Sequence, residues 1–291
     1  MIFGIVSNPV KDKDYEFTLR AISMIKARGS EVVVDDKYKN TPLGTSTDVL
    51  IGSYDSCDML LSFGGDGTFL SAVHHHYSFG IPIIGVNLGS IGFLTEIHPD
   101  QFSDALDRIL AGNYVIENRI QLEVIVKNRD GEEKGRGFSL NDVVIARGYL
   151  LHLLTVDMLI DGDYVERLSG DGVILSTPTG STAYSLAAGG PIVMPNLDVF
   201  LVTPICPHTL HNRSYVVSEE SVVEIRLADY YEQPLLSLDG RNDIALSPFD
   251  RIYVRKAENP IRIAKIGYST YYQTIRQKIR ARGSFYEDGQ K

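Results

Sequence analysis

A parallel-sheet α/β domain, then an all-β sandwich, then a closing helix is the architecture that the 291-residue sequence predicts. Three observations predict it. Residues 1–118 alternate short apolar runs with segments of helical spacing, the pattern of parallel strands covered by helices on both faces. Over residues 119–267 apolar side chains fall on alternate positions between frequent turn clusters, which reads as a β-sandwich. Residues 268–291 carry a basic helical stretch, Tyr271 to Arg282, expected to return to the N-terminal domain. At about 150 residues per domain, the length also favours two.

The elements follow in order. Ile2 to Val6 is a short apolar strand, and Phe17 to Ala27 has helical spacing through Phe17, Leu19, Ala21, Ile22 and Ile25 before Gly29 stops it. Glu31 to Val34 is β-branched. Met59 to Phe63 is a buried-strand run ended by glycines, after which Thr68 to His76 resumes helical spacing. Ile81 to Val86 gives a further strand, and Phe102, Ala105, Leu106, Ile109 and Leu110 fit one helix face. This first domain is therefore Rossmann-like. In the second, Leu122, Val124 and Val126 alternate, Asn128 to Gly131 turns, and Gly137 to Ile145 runs back. Strand-like runs follow at 153–160, 164–168, 173–175, 200–205, 221–227, 235–238, 251–255 and 261–266, with Asp161-Gly162 and Asp239-Gly240 among the turns between them.

Composition narrows the function. Hydrophobic residues make up 44% and charged residues 22%, the balance of a folded globular chain. No apolar stretch approaches the roughly 20 residues that cross a bilayer. The start of the chain has no basic n-region and reads as a core strand. Cys57 and Cys206 are the two cysteines, too few for a disulfide framework, so a reducing cytoplasmic setting is expected. Lysine plus arginine is 28 and aspartate plus glutamate 37, giving 28 − 37 = −9. That argues against nucleic acid or an anionic membrane as the partner. A phosphate ligand must then be held by local backbone dipoles.

Three constellations carry chemistry. The first is Phe63-Gly64-Gly65-Asp66-Gly67-Thr68-Phe69-Leu70, where a buried strand gives way to a helix at the carboxyl edge of the sheet. Glycines admit a phosphate close to the backbone, and a helix start supplies unpaired N–H groups and a positive dipole end. No Gly-Lys-Ser/Thr follows, so this is not a Walker A loop. Asp66 either caps the helix or takes a proton from a hydroxyl that attacks a bound phosphate. The glycines that flank it favour the second role.

The second constellation runs from Ser169-Gly170-Asp171-Gly172 through Thr177-Pro178-Thr179-Gly180-Ser181-Thr182-Ala183-Tyr184-Ser185, into a short helix ending at Gly189-Gly190. Five hydroxyl side chains, Thr177, Thr179, Ser181, Thr182 and Tyr184, fall within eight residues, more than a capping turn needs. They suit a ribose and phosphate, and Tyr184 suits a base; the alternative places Tyr184 in the core. The third is Ser139-Leu140-Asn141-Asp142-Val143. An asparagine can pair with a base edge or ribose hydroxyl, and an aspartate can accept two hydroxyl protons from one ribose. The pair could equally mark a turn between two short strands.

Together and in this order, Gly64-Gly65-Asp66-Gly67-Thr68, Asn141-Asp142 and the 177–184 block with Gly189-Gly190-Pro191 resemble the NAD kinase family over nearly the whole chain. The glycine-aspartate loop alone is shared with phosphofructokinases and diacylglycerol kinases; the threonine-proline-threonine block is the more specific part. The resemblance implies a kinase that transfers the γ-phosphoryl of ATP to the 2′-hydroxyl of the adenosine ribose of NAD, giving NADP and ADP. It implies that Asp66 is the base and that Gly64, Gly65, Gly67 and Thr68 face ATP phosphates. Asn141 and Asp142 would hold the nucleoside. Thr182, Ala183, Tyr184, Ser185, Leu186 and Ala187 would line its base pocket.

Asp171 matches a family aspartate that binds the dinucleotide across a subunit interface, which implies a homodimer or homotetramer. Ser169 stands where many members carry a basic residue, and Arg241 where they often carry glutamine. His152 falls at a family ligand position, although its leucine neighbours suit a core residue. Cys206 falls near the expected adenine pocket, or is a buried structural cysteine. No dedicated metal cage is evident, so a divalent ion, Mg²⁺ by preference, is expected to arrive with ATP. The other readings are a sugar or lipid kinase built on the same loop, and a non-catalytic dinucleotide sensor. His74-His75-His76 would point three ways around a helix, which disfavours a metal site. Arg276, Lys278, Arg280 and Arg282 make the last helix basic, a solvated face or one that meets an acidic neighbour.

Overall fold

The computed structural model describes residues 1–76, 80–90, 92–148, 152–209, 213–229 and 233–283. Its contacts divide the chain into two compact units, Met1–Glu117 with Arg262–Lys291, and Asn118–Ile261.

In the first unit the elements are β1 (Ile2–Ser7), α1 (Glu16–Ala27), β2 (Glu31–Val34), β3 (Leu50–Ile51), β4 (Met59–Gly64), α2 (Asp66–His76), β5 (Ile83–Asn87), β6 (Thr95–Ile97), α3 (Phe102–Leu110) and β7 (Val115–Arg119). The second unit holds β8 (Leu122–Lys127), β9 (Glu133–Ser139), β10 (Asp142–Ala146), β11 (Leu154–Ile160), β12 (Asp163–Gly170), β13 (Gly172–Ser176), the single turn α4 (Tyr184–Ala187), β14 (Val199–Ile205), β15 (Tyr215–Ser218), β16 (Val223–Leu227), β17 (Leu235–Leu238), β18 (Arg241–Ala245) and β19 (Arg251–Lys256). The chain closes with β20 (Ile261–Lys265) and α5 (Tyr271–Gly283).

The first sheet has the order β3-β2-β1-β4-β5-β20-β7, with β6 paired to β5. The pairs β1–β2, β1–β4, β4–β5 and β5–β20 are parallel, which two-residue hairpins cannot connect; helices link β1 to β2 and β4 to β5, and the whole sandwich intervenes between β5 and β20. Because β4 is central it is buried along its whole length, which explains the unbroken run Met59-Leu60-Leu61-Ser62-Phe63. Ile22 and Ile25 of α1 and Phe102, Leu106 and Ile109 of α3 bury against Ile5, Val34, Met59, Leu61 and Phe63. Phe63 and Phe102 sit 5.7 Å apart between ring centroids, and each fully buried side chain of this size contributes about 1.5–3 kcal/mol. The start of α1 is held from outside: the buried Asp12 carboxylate accepts from the amides of Phe17 and Thr18, both at 2.9 Å.

The second unit is the expected sandwich of two antiparallel sheets, β15-β14-β13-β10-β17-β18 and β12-β11-β16-β19-β8-β9. Its core interleaves Leu122, Val124 and Val126 from one sheet with Val143, Ile145, Val173 and Leu175 from the other.

Four expectations need correction. The run 137–145 is not one strand: it breaks at Leu140-Asn141, so that β9 pairs with β8 in one sheet and β10 with β13 and β17 in the other. The run 261–266, read with the sandwich, becomes β20 and joins the parallel sheet through Ile263 opposite Ile83. Its alternation looks identical in either sheet, and only the partner differs. α2 begins at Asp66, two residues before the helical spacing shows. Finally β3, β7, β15 and β18 were not anticipated. β3 consists of the exposed pair Leu50-Ile51, too short for a period of two to register.

Candidate active site

Two separate clusters carry the predicted residues, one in each unit. In the first, β4 delivers its chain to the carboxyl edge of the parallel sheet and Gly64 to Thr68 turns directly into α2. Gly64 is required by packing, since a β-carbon there would lie 2.2 Å from Thr68 Oγ1. Its carbonyl accepts from the Leu88 amide at 2.8 Å, and Gly65 O accepts from the amides of Thr68 and Phe69 at 3.0 and 3.1 Å. Thr68 is buried, and its hydroxyl accepts from Asn8 Nδ2 at 3.1 Å.

Gly65 and Gly67 are different. Neither has a positive φ, and a β-carbon on either would meet nothing within 4 Å. Nothing among the described residues demands glycine there.

Asp66 is the first residue of α2, but it does not cap it. Its carboxylate reaches out of the helix: Oδ2 accepts from the Phe93 amide at 2.8 Å and Oδ1 from the Leu94 amide at 3.0 Å. Lys278 Nζ of α5 stands 3.6 Å from Oδ2. The capping role is therefore set aside. The side chain remains 28% exposed, open enough to meet a substrate hydroxyl.

In the second unit the Asn141-Asp142 pair and the hydroxyl-rich block are one structure. The Thr177 amide donates to Asn141 O at 2.9 Å and the Thr177 hydroxyl to Leu140 O at 2.5 Å. Gly180 lies so close that a β-carbon would sit 2.0 Å from Asn141 O. Asp142 pairs with Ser176 across β10 and β13, and its carboxylate receives the Tyr184 amide. The turn that separates β9 from β10 is tied by Asp239, the first residue of the turn between β17 and β18. Its Oδ1 accepts from the Ser139 hydroxyl at 2.5 Å and from the Asn141 and Asp142 amides at 2.7 and 3.0 Å. Its Oδ2 accepts from the Leu140 amide at 2.8 Å.

Burial, the nearby Asp239 carboxylate and the opposing Tyr184 amide together leave the Asp142 carboxyl pushed up to about 7. It thus changes charge near neutral pH.

The base-pocket residues divide by exposure. Tyr184, Leu186 and Ala187 are exposed, so Tyr184 is not a core residue. Thr182 is buried with its hydroxyl toward Thr179 O, Ala183 is half-buried, and Ser185 is buried against the Thr203 hydroxyl at 3.2 Å.

Ser169 and Asp171 bracket the end of β12. Ser169 Oγ bonds Thr155 Oγ1 at 3.1 Å, and Asp171 Oδ1 accepts from Arg147 Nε at 2.7 Å. His152 is exposed rather than a core residue; Leu150 and Leu151 beside it lie outside the described residues. Arg241 is exposed in β18. Cys206 is exposed with φ +43°, which sets aside the buried structural reading, whereas Cys57 is buried and its thiol is pushed up to about 11 by that burial.

Several contributors escaped the sequence. Asn8 and Asn87 follow β1 and end β5, and each ties its own loop beside Gly64: Asn8 Oδ1 accepts from Val10 N at 2.9 Å and Asn87 Oδ1 from Gly89 N at 3.0 Å. An asparagine closing a buried strand at the carboxyl edge was the available signal. Asp239 carried only the Asp-Gly signal of a turn.

The family model of the ATP-NAD kinase N-terminal domain matches residues 3–114, which hold the Asp66 loop, and that of the C-terminal domain matches 140–266, which hold the Asn141 turn and its partners. The chain belongs to the NAD kinase family. It is 36% identical over 280 residues to the NAD kinase of Natranaerobius thermophilus, covering 95% of this chain and 96% of that one. It is 37% identical to the NAD kinase of Caldanaerobacter subterraneus subsp. tengcongensis, covering 96% and 99%. Among solved structures, yeast NADH kinase complexed with NADH superposes with a TM-score of 0.85 at 26% identity, covering 98% of this chain and 89% of that one. An NAD kinase from Archaeoglobus fulgidus in complex with ATP gives 0.74 at 25%, covering 97% and 100%. Membership in this family displaces the sugar-kinase and lipid-kinase readings of the glycine-aspartate loop. Among the described residues no helix is long and apolar enough to cross a membrane.

Proposed function

We propose that this chain phosphorylates the 2′-hydroxyl of the adenosine ribose of NAD with ATP, giving NADP and ADP, and that Asp66 is the base. The observation that carries the reading is the Asp66 carboxylate itself: aimed out of α2 by two backbone amides, and set between two glycines that the described packing does not require. Phosphoryl transfer asks a protein mainly for positioning and charge stabilisation. The ribose oxygen bonds to the γ-phosphorus, its proton passes to Asp66, and the bond to the β-phosphate oxygen breaks to release ADP. The amides of Gly64 to Thr68 and the start of α2 face the phosphates.

Asn141 and Asp142 hold the nucleoside, the ionised Asp142 accepting from ribose hydroxyls. Thr182 to Ala187 line the base, with the exposed Tyr184 ring against it. His152, Ser169 and Asp171 complete the dinucleotide contacts, Asp171 by reaching a second copy in a homodimer or homotetramer. A divalent ion, Mg²⁺ by preference, enters with ATP and offsets phosphate charge. Among the described residues no cluster of three acidic, histidine or cysteine side chains is placed to hold it.

Asp66→Asn tests the reading. NADP formation from ATP and NAD should fall about 10²–10⁴-fold, the usual worth of a general base. NAD affinity by calorimetry should stay within about twofold of the parent, because the proton acceptor rather than the binding surface is removed. Full turnover in this variant removes Asp66 from the chemistry.

A further inference from the structure

The last helix is more than a closing element. Lys278 Nζ stands 3.6 Å from Asp66 Oδ2 and 4.3 Å from the centre of the Phe93 ring. The Phe93 amide donates to that same Oδ2 at 2.8 Å, and the Phe93 ring lies 6.1 Å from the Tyr271 ring at the start of α5. α5 therefore grips the 93–94 turn through two of its side chains, and the turn grips the carboxylate. Lys278 is only 19% exposed, whereas Arg276 on the same helix faces solvent. Oδ2 takes two partners and Oδ1 takes the Leu94 amide alone, so Oδ1 keeps acceptor capacity. Gly92 packs close to the carboxylate, where a β-carbon would lie 2.1 Å from Oδ1.

We infer that Lys278 is a positioning residue for Asp66, fixing the direction in which its carboxylate faces the attacking hydroxyl, so that α5 belongs to the catalytic apparatus. This rests on the assignment of Asp66 as the base. The ammonium attracts Oδ2, and its place over an aromatic face limits where it can wander. Among the described residues Lys278 is the charged side chain within 4 Å of Asp66; the 93–94 turn contributes two amides, and His74 and His75 lie two turns further along α2.

The test compares Lys278→Met and Lys278→Arg with the parent in full-length protein. Lys278→Met should lower kcat about tenfold to a hundredfold, the cost of a misplaced reacting group, with the KM for NAD within about twofold. Lys278→Arg should restore most of the kcat. The carboxyl ¹³C shift of Asp66, assigned through Asp66→Asn, should move in Lys278→Met and return in Lys278→Arg, a readout that needs no turnover. A parent that makes no NADP from NAD therefore overturns the kinase reading while the shift still reports on Lys278. Unchanged kcat in Lys278→Met overturns the inference. So does a loss of kcat with an unmoved Asp66 carboxyl shift and no rescue by arginine, which marks a merely structural contact.

Discussion

The two clusters use glycine in opposite ways. In the 64–68 loop, Gly65 and Gly67 face open space and the chain gains nothing from them. In the sandwich, Gly180 is pressed onto the Asn141 carbonyl, with 2.0 Å between that oxygen and the place of a β-carbon. One loop leaves open space beside its backbone, and the other closes on itself around Asn141. Their aspartates differ in the same sense. Asp66 is partly exposed beside an ammonium, whereas Asp142 is 5% exposed with the Asp239 carboxylate for a neighbour. On the proposed reading a phosphate cradle has to be unfilled and a nucleoside clamp has to be rigid, and the two demands fall on separate units.

If that contrast is right, Gly180→Ala is the most damaging glycine change. The methyl meets backbone, which cannot swing aside as a side-chain end can. Overpacking of this kind costs about 1–3 kcal/mol, and the displaced Asn141 should weaken NAD binding as well. Urea unfolding together with calorimetry would read both. A variant with parental stability and NAD affinity would break the picture of a closed turn.

The Asp142 carboxyl gives the next largest effect. Its value of about 7 in the folded chain lies above the usual range near 3.9 for an unfolded aspartate. Between those values the folded state binds the extra proton, so this group's contribution to stability is full below about pH 4 and is lost as pH rises through about 7. Asp142→Asn should flatten that part of the Tm profile. Substrate binding runs the other way, because accepting from ribose hydroxyls needs the ionised form. The Kd for NAD should weaken about tenfold between pH 8 and pH 6, and Asp239→Asn should move the midpoint lower by removing the like charge. A Kd that is flat across this window would separate Asp142 from the ribose.

How much of this was legible depends on sequence distance. The Gly64 to Thr68 loop, the Asn141-Asp142 pair and the hydroxyl block show as contiguous residues whose types suit one chemistry. The change from helical spacing to alternation near Asn118 showed the two kinds of sheet. What stayed hidden is set by long-range pairing. Asp239 lies about a hundred residues beyond the turn it fastens, and Lys278 more than two hundred beyond Asp66. Nothing local to Asp239 distinguishes it from the Asp161 of another Asp-Gly turn. The basic stripe of the last helix raised the question of an acidic neighbour, but only packing shows that Lys278 turns inward. The break at Leu140 was hidden for a related reason: Gly137 to Ile145 alternates well enough for one strand, and the bonds that divide it come from β17.

The smallest change in stability falls on Gly67, and it sharpens the contrast most. Gly67 is exposed in the first turn of α2, has no positive φ, and would place a methyl in open space. Alanine there should stabilise the protein by about 0.4–1 kcal/mol through the lower entropy of the unfolded chain and better helix propensity. The same methyl stands where phosphates are expected to approach the backbone, so the KM for ATP should rise while NAD affinity holds. Gain of stability with loss of ATP use is the signature of a glycine kept for a ligand. Gain of stability with an unchanged KM for ATP would mean that the phosphates do not touch this turn, and that the open space beside Asp66 serves some other part of the substrates.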